Sequence, residues 1–132
     1  MTAADTGAPS RILDGVTWTS GALAVGCALL AVGHLGVDVP LLSNLGPGGT
    51  RPVIPAAIAF TGAGVAHGLV GLGAARRRSW AWPLGVLISA ATLLGAAMPF
   101  RGVMSAVGIV LAGIQLGLLV TRDGRELLRH EA

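Results

Sequence analysis

Lysine and tyrosine are absent from this 132-residue chain, cysteine occurs once, and only 11% of the residues are charged. A lone Cys27 excludes an intramolecular disulfide and carries no information about redox compartment. So little charge excludes an ordinary water-soluble domain, in which about 25% of residues are charged; the mean hydropathy of +0.76 agrees. The spacing of the few charges is more telling. No Asp, Glu, Lys or Arg lies between Asp14 and Asp38, Arg51 and Arg76, Arg78 and Arg101, or Arg101 and Arg122, which leaves runs of 23, 24, 22 and 20 residues. An α-helix needs about 20 residues to cross about 30 Å of hydrocarbon. The absences therefore predict an all-α integral membrane protein, a four-transmembrane-helix bundle running up-down-up-down.

The same empty runs restrict the chemistry. Proton-coupled exporters and ion pumps need a titratable acid near the midplane, and no carboxylate lies at that depth to act as a general acid. Of the histidines in the spans, His34 falls within roughly 5 Å of the outer boundary and His67 roughly 20 Å below it, too far apart to share one metal or haem iron. Zinc-ligand spacing, a phosphate loop and a dinucleotide fingerprint are missing too, since the glycines of LGPGGT have no Lys beside them and follow no predicted strand. Pairing Cys27 with His67 as a nucleophile fares poorly, because a thiol in hydrocarbon is inert without a nearby cation. The expectation is a protein with no catalytic residues, metal or cofactor.

What is present sets the boundaries. Residues 1–14 are small and polar with Pro9, and predict a disordered N-terminal tail. The transmembrane domain is expected over 15–121, with spans at about 15–37, 53–75, 80–98 and 102–120. A cleaved secretory signal is the competing reading of the first span, but its apolar run continues past Cys27 and the tail holds a single Arg. The segment DVPLLSNLGPGGTRP from Asp38 to Pro52 has three Pro and three Gly and predicts a loop. Pro52 and Pro55 suit a first helical turn, Ser79 an N-cap, and Pro99 a stop. Residues 122–132 form a charged C-terminal tail, in which Arg122 and Glu126 are spaced for an i,i+4 pair if it is helical.

All the positive charge is arginine, nine in total for a net charge of +3. With four spans, both termini lie on one side together with Arg11, Arg76, Arg77, Arg78, Arg122, Arg125 and Arg129, while Arg51 and Arg101 lie on the other. Seven against two predicts a multi-pass protein of the cell (cytoplasmic) membrane with both termini in the cytoplasm, and argues against dual topology. Trp18, Trp80 and Trp82 fall at the same helix ends, where an indole sits well between headgroup and tail. Arginines at span ends point to membrane lipids as partners, not nucleic acid. Arg76, Arg77 and Arg78 fix topology and are placed to meet anionic headgroups.

Helices in a bilayer associate through close packing and interhelical hydrogen bonds, so small residues are the packing signal. Gly64 and Gly68 form a GxxxG pair in the second span, and Gly113 and Gly117 form another in the fourth. Ala24 and Ala28 offer a small pair in the first. The fourth span is small on two sides, because Ser105, Gly108, Ala112 and Gln115 make a second stripe; either one side serves the bundle and the other a partner, or the helix sits in the crowded middle of a monomer.

Depth along each helix groups the remaining polar residues. From the cytoplasmic boundary Gln115 lies at roughly 9 Å, His67 at roughly 12 Å, Ser89 at roughly 13 Å and Cys27 at roughly 16 Å, with Thr92 slightly deeper. This predicts one polar intramembrane layer with a contributor from every helix, acting either as interhelical glue or as a binding site. The leading functional expectation is a non-catalytic membrane protein that works by helix association, as a homo-oligomer or as an accessory subunit of a membrane complex. A small channel or carrier for an uncharged or weakly charged solute, built on His67 and Gln115, is the alternative. Third is a lipid-acting membrane enzyme using Asp38, Asn44 and Arg51 in the outer loop.

Overall fold

The computed structural model describes residues 8–40 and 51–129, and among them every regular element is helical. The helices are α1 (Ala8–His34), α2 (Ile54–Ala75), α3 (Ala81–Ala97), α4 (Val103–Val120) and α5 (Arg122–Arg129). By length and apolarity α1, α2 and α4 are candidate membrane spans; α3 is apolar but shorter, at 17 residues. At about 1.5 Å per residue it extends about 25 Å.

Two boundaries differ from the sequence expectation. The first helix begins at Ala8, so residues 8–14 belong to it instead of to a disordered tail. The cause is Leu13, which shares a face with Val16 and is buried with it against Leu119 and Leu128. That helix also stops at His34, not Val37, where Gly36 turns the chain at φ 86°. The Val53 amide then donates to the His34 carbonyl at 2.7 Å, tying the end of α1 to the start of α2. Residues 41–50, including Ser43 and Asn44 of the expected loop, lie outside the described residues.

The far end of α2 closes by backbone hydrogen bonds. Arg78 N–H donates to the Gly73 carbonyl at 2.8 Å and Arg77 N–H to that of Ala74 at 3.0 Å, the paired bonds of a Schellman motif. Arg77 occupies its left-handed position at φ 51°, where glycine is usual. Ser79 does not cap α3; Trp80 stands at that position without a side-chain cap bond.

Close approaches fix the arrangement of the four long helices. Gly64 of α2 lies against Ala24 and Cys27 of α1, and Gly73 of α2 against Ala81 of α3. Gly85 of α3 meets Leu119 of α4, and Gly15 of α1 meets Leu118. Each pairing runs antiparallel, and α2 and α4 face each other across the ring. The largest apolar cluster (Leu13, Val16, Val70, Ala74, Leu119 and Leu128) is gathered at the end bearing the Arg76–Arg78 turn. Val25, Ile58, Val65, Leu87, Leu94 and Val110 point outward, a surface suited to hydrocarbon.

The segment expected as a charged tail is ordered over α5. Thr121 ends α4 and starts α5: its Oγ1 donates to the Leu118 carbonyl at 2.7 Å and accepts from Gly124 N–H at 3.1 Å. Gly124 permits the fold-back, since a Cβ there would collide with the Leu118 carbonyl. Leu128 is then carried into the apolar cluster, while Arg122 and Glu126 pair at 2.9 Å on the outer face.

Candidate functional site: a buried polar layer

Four helices each place a polar side chain at one level of the bundle. Gly85 of α3 lies level with Val70 of α2 and Leu119 of α4. One turn along, Ser89 therefore comes level with His67 and Gln115. Ser20 of α1, His67, Ser89 and Gln115 are all fully buried. Among the described residues no carboxylate or arginine joins them, so the layer is uncharged unless His67 takes a proton.

Two hydrogen bonds cross between helices here. Gln115 Nε2 donates to Ser20 Oγ at 2.8 Å, joining α4 to α1. His67 Nε2 and Thr92 Oγ1 share a bond of 3.0 Å, joining α2 to α3. Gln115 is also the polar neighbour of the His67 imidazole across the ring. One file of polar groups, Thr92, His67, Gln115 and Ser20, thus touches all four long helices. His67 Nδ1, Ser89 Oγ and Gln115 Oε1 have no hydrogen-bond partner among the described residues. Buried groups of this kind cost about 1–3 kcal/mol each when left unpaired.

The expected layer of His67, Gln115, Ser89, Thr92 and Cys27 assembles with one exchange. Ser20, not Cys27, is the residue through which α1 bonds the layer. Cys27 is buried against Gly64, at 3.3 Å from the position a Cβ would take there, and works as a small packing group. Ser20 was legible by depth, at roughly 8 Å from the boundary and close to Gln115. His34 stands apart: its Nδ1–H donates to the Leu30 carbonyl at 2.7 Å and its ring tilts against Phe60.

The packing glycines divide into used and unused. Gly64 meets α1 as the small-residue pattern predicts, whereas a Cβ at Gly68, Gly113 or Gly117 would meet no neighbour within 4 Å among the described residues. Within the bundle those three are not packing positions. Helix α4 turns its Ser105, Ala112 and Gln115 side inward, because that stripe carries the group able to bond Ser20, and its Gly113 and Gly117 side outward.

At the Arg76–Arg78 end the three tryptophans take different roles. Trp18 is 79% exposed and Trp80 45% exposed, as residues facing a headgroup region would be. Trp82 is half-buried, and its indole N–H donates at 2.9 Å to the Leu119 carbonyl, one of the last four in α4 that lack an intrahelical donor. The guanidinium groups of Arg125 and Arg129 lie 5.7 and 5.3 Å from the centre of its ring. Arg76, Arg77 and Arg78 are exposed in the adjoining turn, without an acidic partner among the described residues. Of the outer-loop trio, Asp38 and Arg51 are exposed and Asn44 lies outside the described residues. Comparison of the chain with protein-family models, curated proteins and solved structures finds no match.

Proposed function

We propose that the protein is a four-span integral membrane protein of the cytoplasmic membrane, with both termini inside, that works non-catalytically by association through its outer helix faces. Its partner is a second copy of the chain or a subunit of a larger membrane complex. The observation that carries this reading is the unused GxxxG face of α4: among the described residues no other helix brings an atom within 4 Å of a Cβ on Gly113 or Gly117. Small residues let helix backbones approach closely in lipid, and here that capacity is not consumed by the bundle. The arginine asymmetry supports the orientation. The antiparallel ring supports four crossings, α3 being the shortest at 17 residues.

Native mass spectrometry and crosslinking in mild detergent test the association. An oligomer or a co-purifying subunit is expected, and Gly113→Leu with Gly117→Leu disrupts it while the bundle stays folded. A strictly monomeric particle without a partner overturns the reading. A reporter fused to Ala132 tests the orientation and is expected on the cytoplasmic side.

A second reading has its own observation. The unpaired atoms of His67, Ser89 and Gln115 suit a small neutral solute that donates and accepts hydrogen bonds. On that reading the protein is a channel or carrier, and solute flux into liposomes falls in His67→Ala and Gln115→Leu variants that still fold. Unchanged flux removes it.

A further inference from the structure

We propose that Arg125 and Arg129, seated on Trp82, form a binding site for the phosphate headgroup of an anionic phospholipid in the leaflet at that end of the bundle. The site needs the membrane setting and does not depend on whether the protein associates.

The geometry begins with Trp82. Its indole is held by the hydrogen bond to Leu119, so the ring cannot turn away. Leu128 pins α5 from beneath, fully buried in the apolar cluster. Arg125 and Arg129 stand one helical turn apart on α5, and their guanidinium groups rest over the same ring. A guanidinium over an aromatic face keeps its N–H edge free, and two such edges one turn apart present a pre-ordered fork to phosphate oxygens.

Charge complementarity names the partner. Among the described residues this end of the bundle carries Arg11, Arg76, Arg77, Arg78, Arg122, Arg125 and Arg129 against Asp14, Asp123 and Glu126. The sole ion pair among the described residues is Arg122 with Glu126, so six guanidinium groups stand without a carboxylate. A lipid is favoured over a soluble polyanion because outward-facing apolar side chains, among them Trp18, Trp80, Leu69 and Leu72, lie in the helix turns at the same end of the bundle. A headgroup held at the arginines would leave its acyl chains lying along those faces.

The test uses the full chain purified in neutral detergent, titrated with phosphatidylglycerol, phosphatidylcholine, inorganic phosphate or a short RNA. Thermal midpoint and lipid retention in native mass spectrometry are the readouts. Phosphatidylglycerol is expected to raise the midpoint and to remain bound, and the other three are not. Arg125→Gln with Arg129→Gln should weaken phosphatidylglycerol binding by about thirtyfold, roughly fivefold for each charge removed near an anionic surface. Arg101→Gln, at the opposite end, should leave binding unchanged. Arg125→Lys with Arg129→Lys keeps the charge without the flat fork and should bind more weakly than the native pair. The proposal is overturned if the Gln pair binds as the native chain does, if the Lys pair is indistinguishable from it, or if phosphatidylcholine, phosphate or RNA produces the same shift.

Discussion

Gln115 and Ser20, 95 residues apart in the chain, share a fully buried hydrogen bond of 2.8 Å that fastens the last long helix to the first. Neither side chain has any surface open to solvent. Interhelical hydrogen bonds in a bilayer contribute about 0.6 kcal/mol on average and up to about 1.7 kcal/mol. A double-mutant cycle with Gln115→Leu and Ser20→Ala should give a coupling within that range, read from reversible unfolding in detergent. A coupling near zero would mean that the two side chains do not depend on each other.

Ser89 provides the opposite case. Its hydroxyl is fully buried and lacks a hydrogen-bond partner among the described residues. Removing an unpaired buried hydroxyl removes its desolvation cost, so Ser89→Ala should leave stability unchanged or raise it by about 1 kcal/mol. A drop in unfolding midpoint would show that the hydroxyl is bonded in the membrane.

How far the sequence prescribes this molecule is visible in these residues. Charge-free runs gave all four long helices, because hydrocarbon tolerates no unpaired backbone and few charges, and depth arithmetic brought His67, Ser89, Thr92 and Gln115 together. Azimuth was not legible. Gly113 and Gly117 match a packing motif as well as Gly64 does, yet which side of α4 turns inward is set by Gln115 finding Ser20 on another helix. The docking of Arg122–Arg129 was hidden for a similar reason: the spacing of Arg122 and Glu126 allows a helix, but only Leu128 reaching Leu13 and Val16 makes that helix part of the fold.

The two classes of glycine should therefore respond oppositely to one added methyl. At Gly85 a Cβ would stand 2.7 Å from Leu119 Cδ1 and 3.1 Å from Val70 Cγ1, both on fully buried side chains with nowhere to go. Gly85→Ala should cost about 1–3 kcal/mol through overpacking. Gly117→Ala meets no atom, and replacing a helix-interior glycine by alanine gains about 0.5–1 kcal/mol. Unfolding midpoints measured side by side, with detergent in enough excess over protein to keep single copies, decide it. Equal effects would contradict the assigned faces.

Arg77 tests the turn between α2 and α3. A non-glycine residue in the left-handed region costs about 1–2 kcal/mol, and Arg77 holds φ 51° there. Arg77→Gly should stabilise the fold by about 1 kcal/mol. Six arginines remain at that end, so the orientation of a C-terminal reporter should not change. A loss of stability would mean that the guanidinium makes a contact whose loss outweighs the relief of strain.

The docking of α5 rests on Leu128, the fully buried residue that inserts between Leu13, Val16 and Leu119. Truncating a buried leucine costs about 2–5 kcal/mol where the surroundings cannot collapse into the space. An eight-residue helix has little stability of its own, so once that contact is gone α5 should separate from the bundle. Trypsin reports the change directly, because it cleaves after Arg122 and Arg125 only where the backbone can unfold locally. In the native chain both sites should resist cleavage for as long as Thr121 caps the helix and Leu128 is seated. Leu128→Ala should open them, while cleavage in the exposed Arg76–Arg78 turn proceeds at its former rate. If the native α5 is cut as quickly as that turn, the helix does not dock, and the arginine pair over Trp82 loses its support.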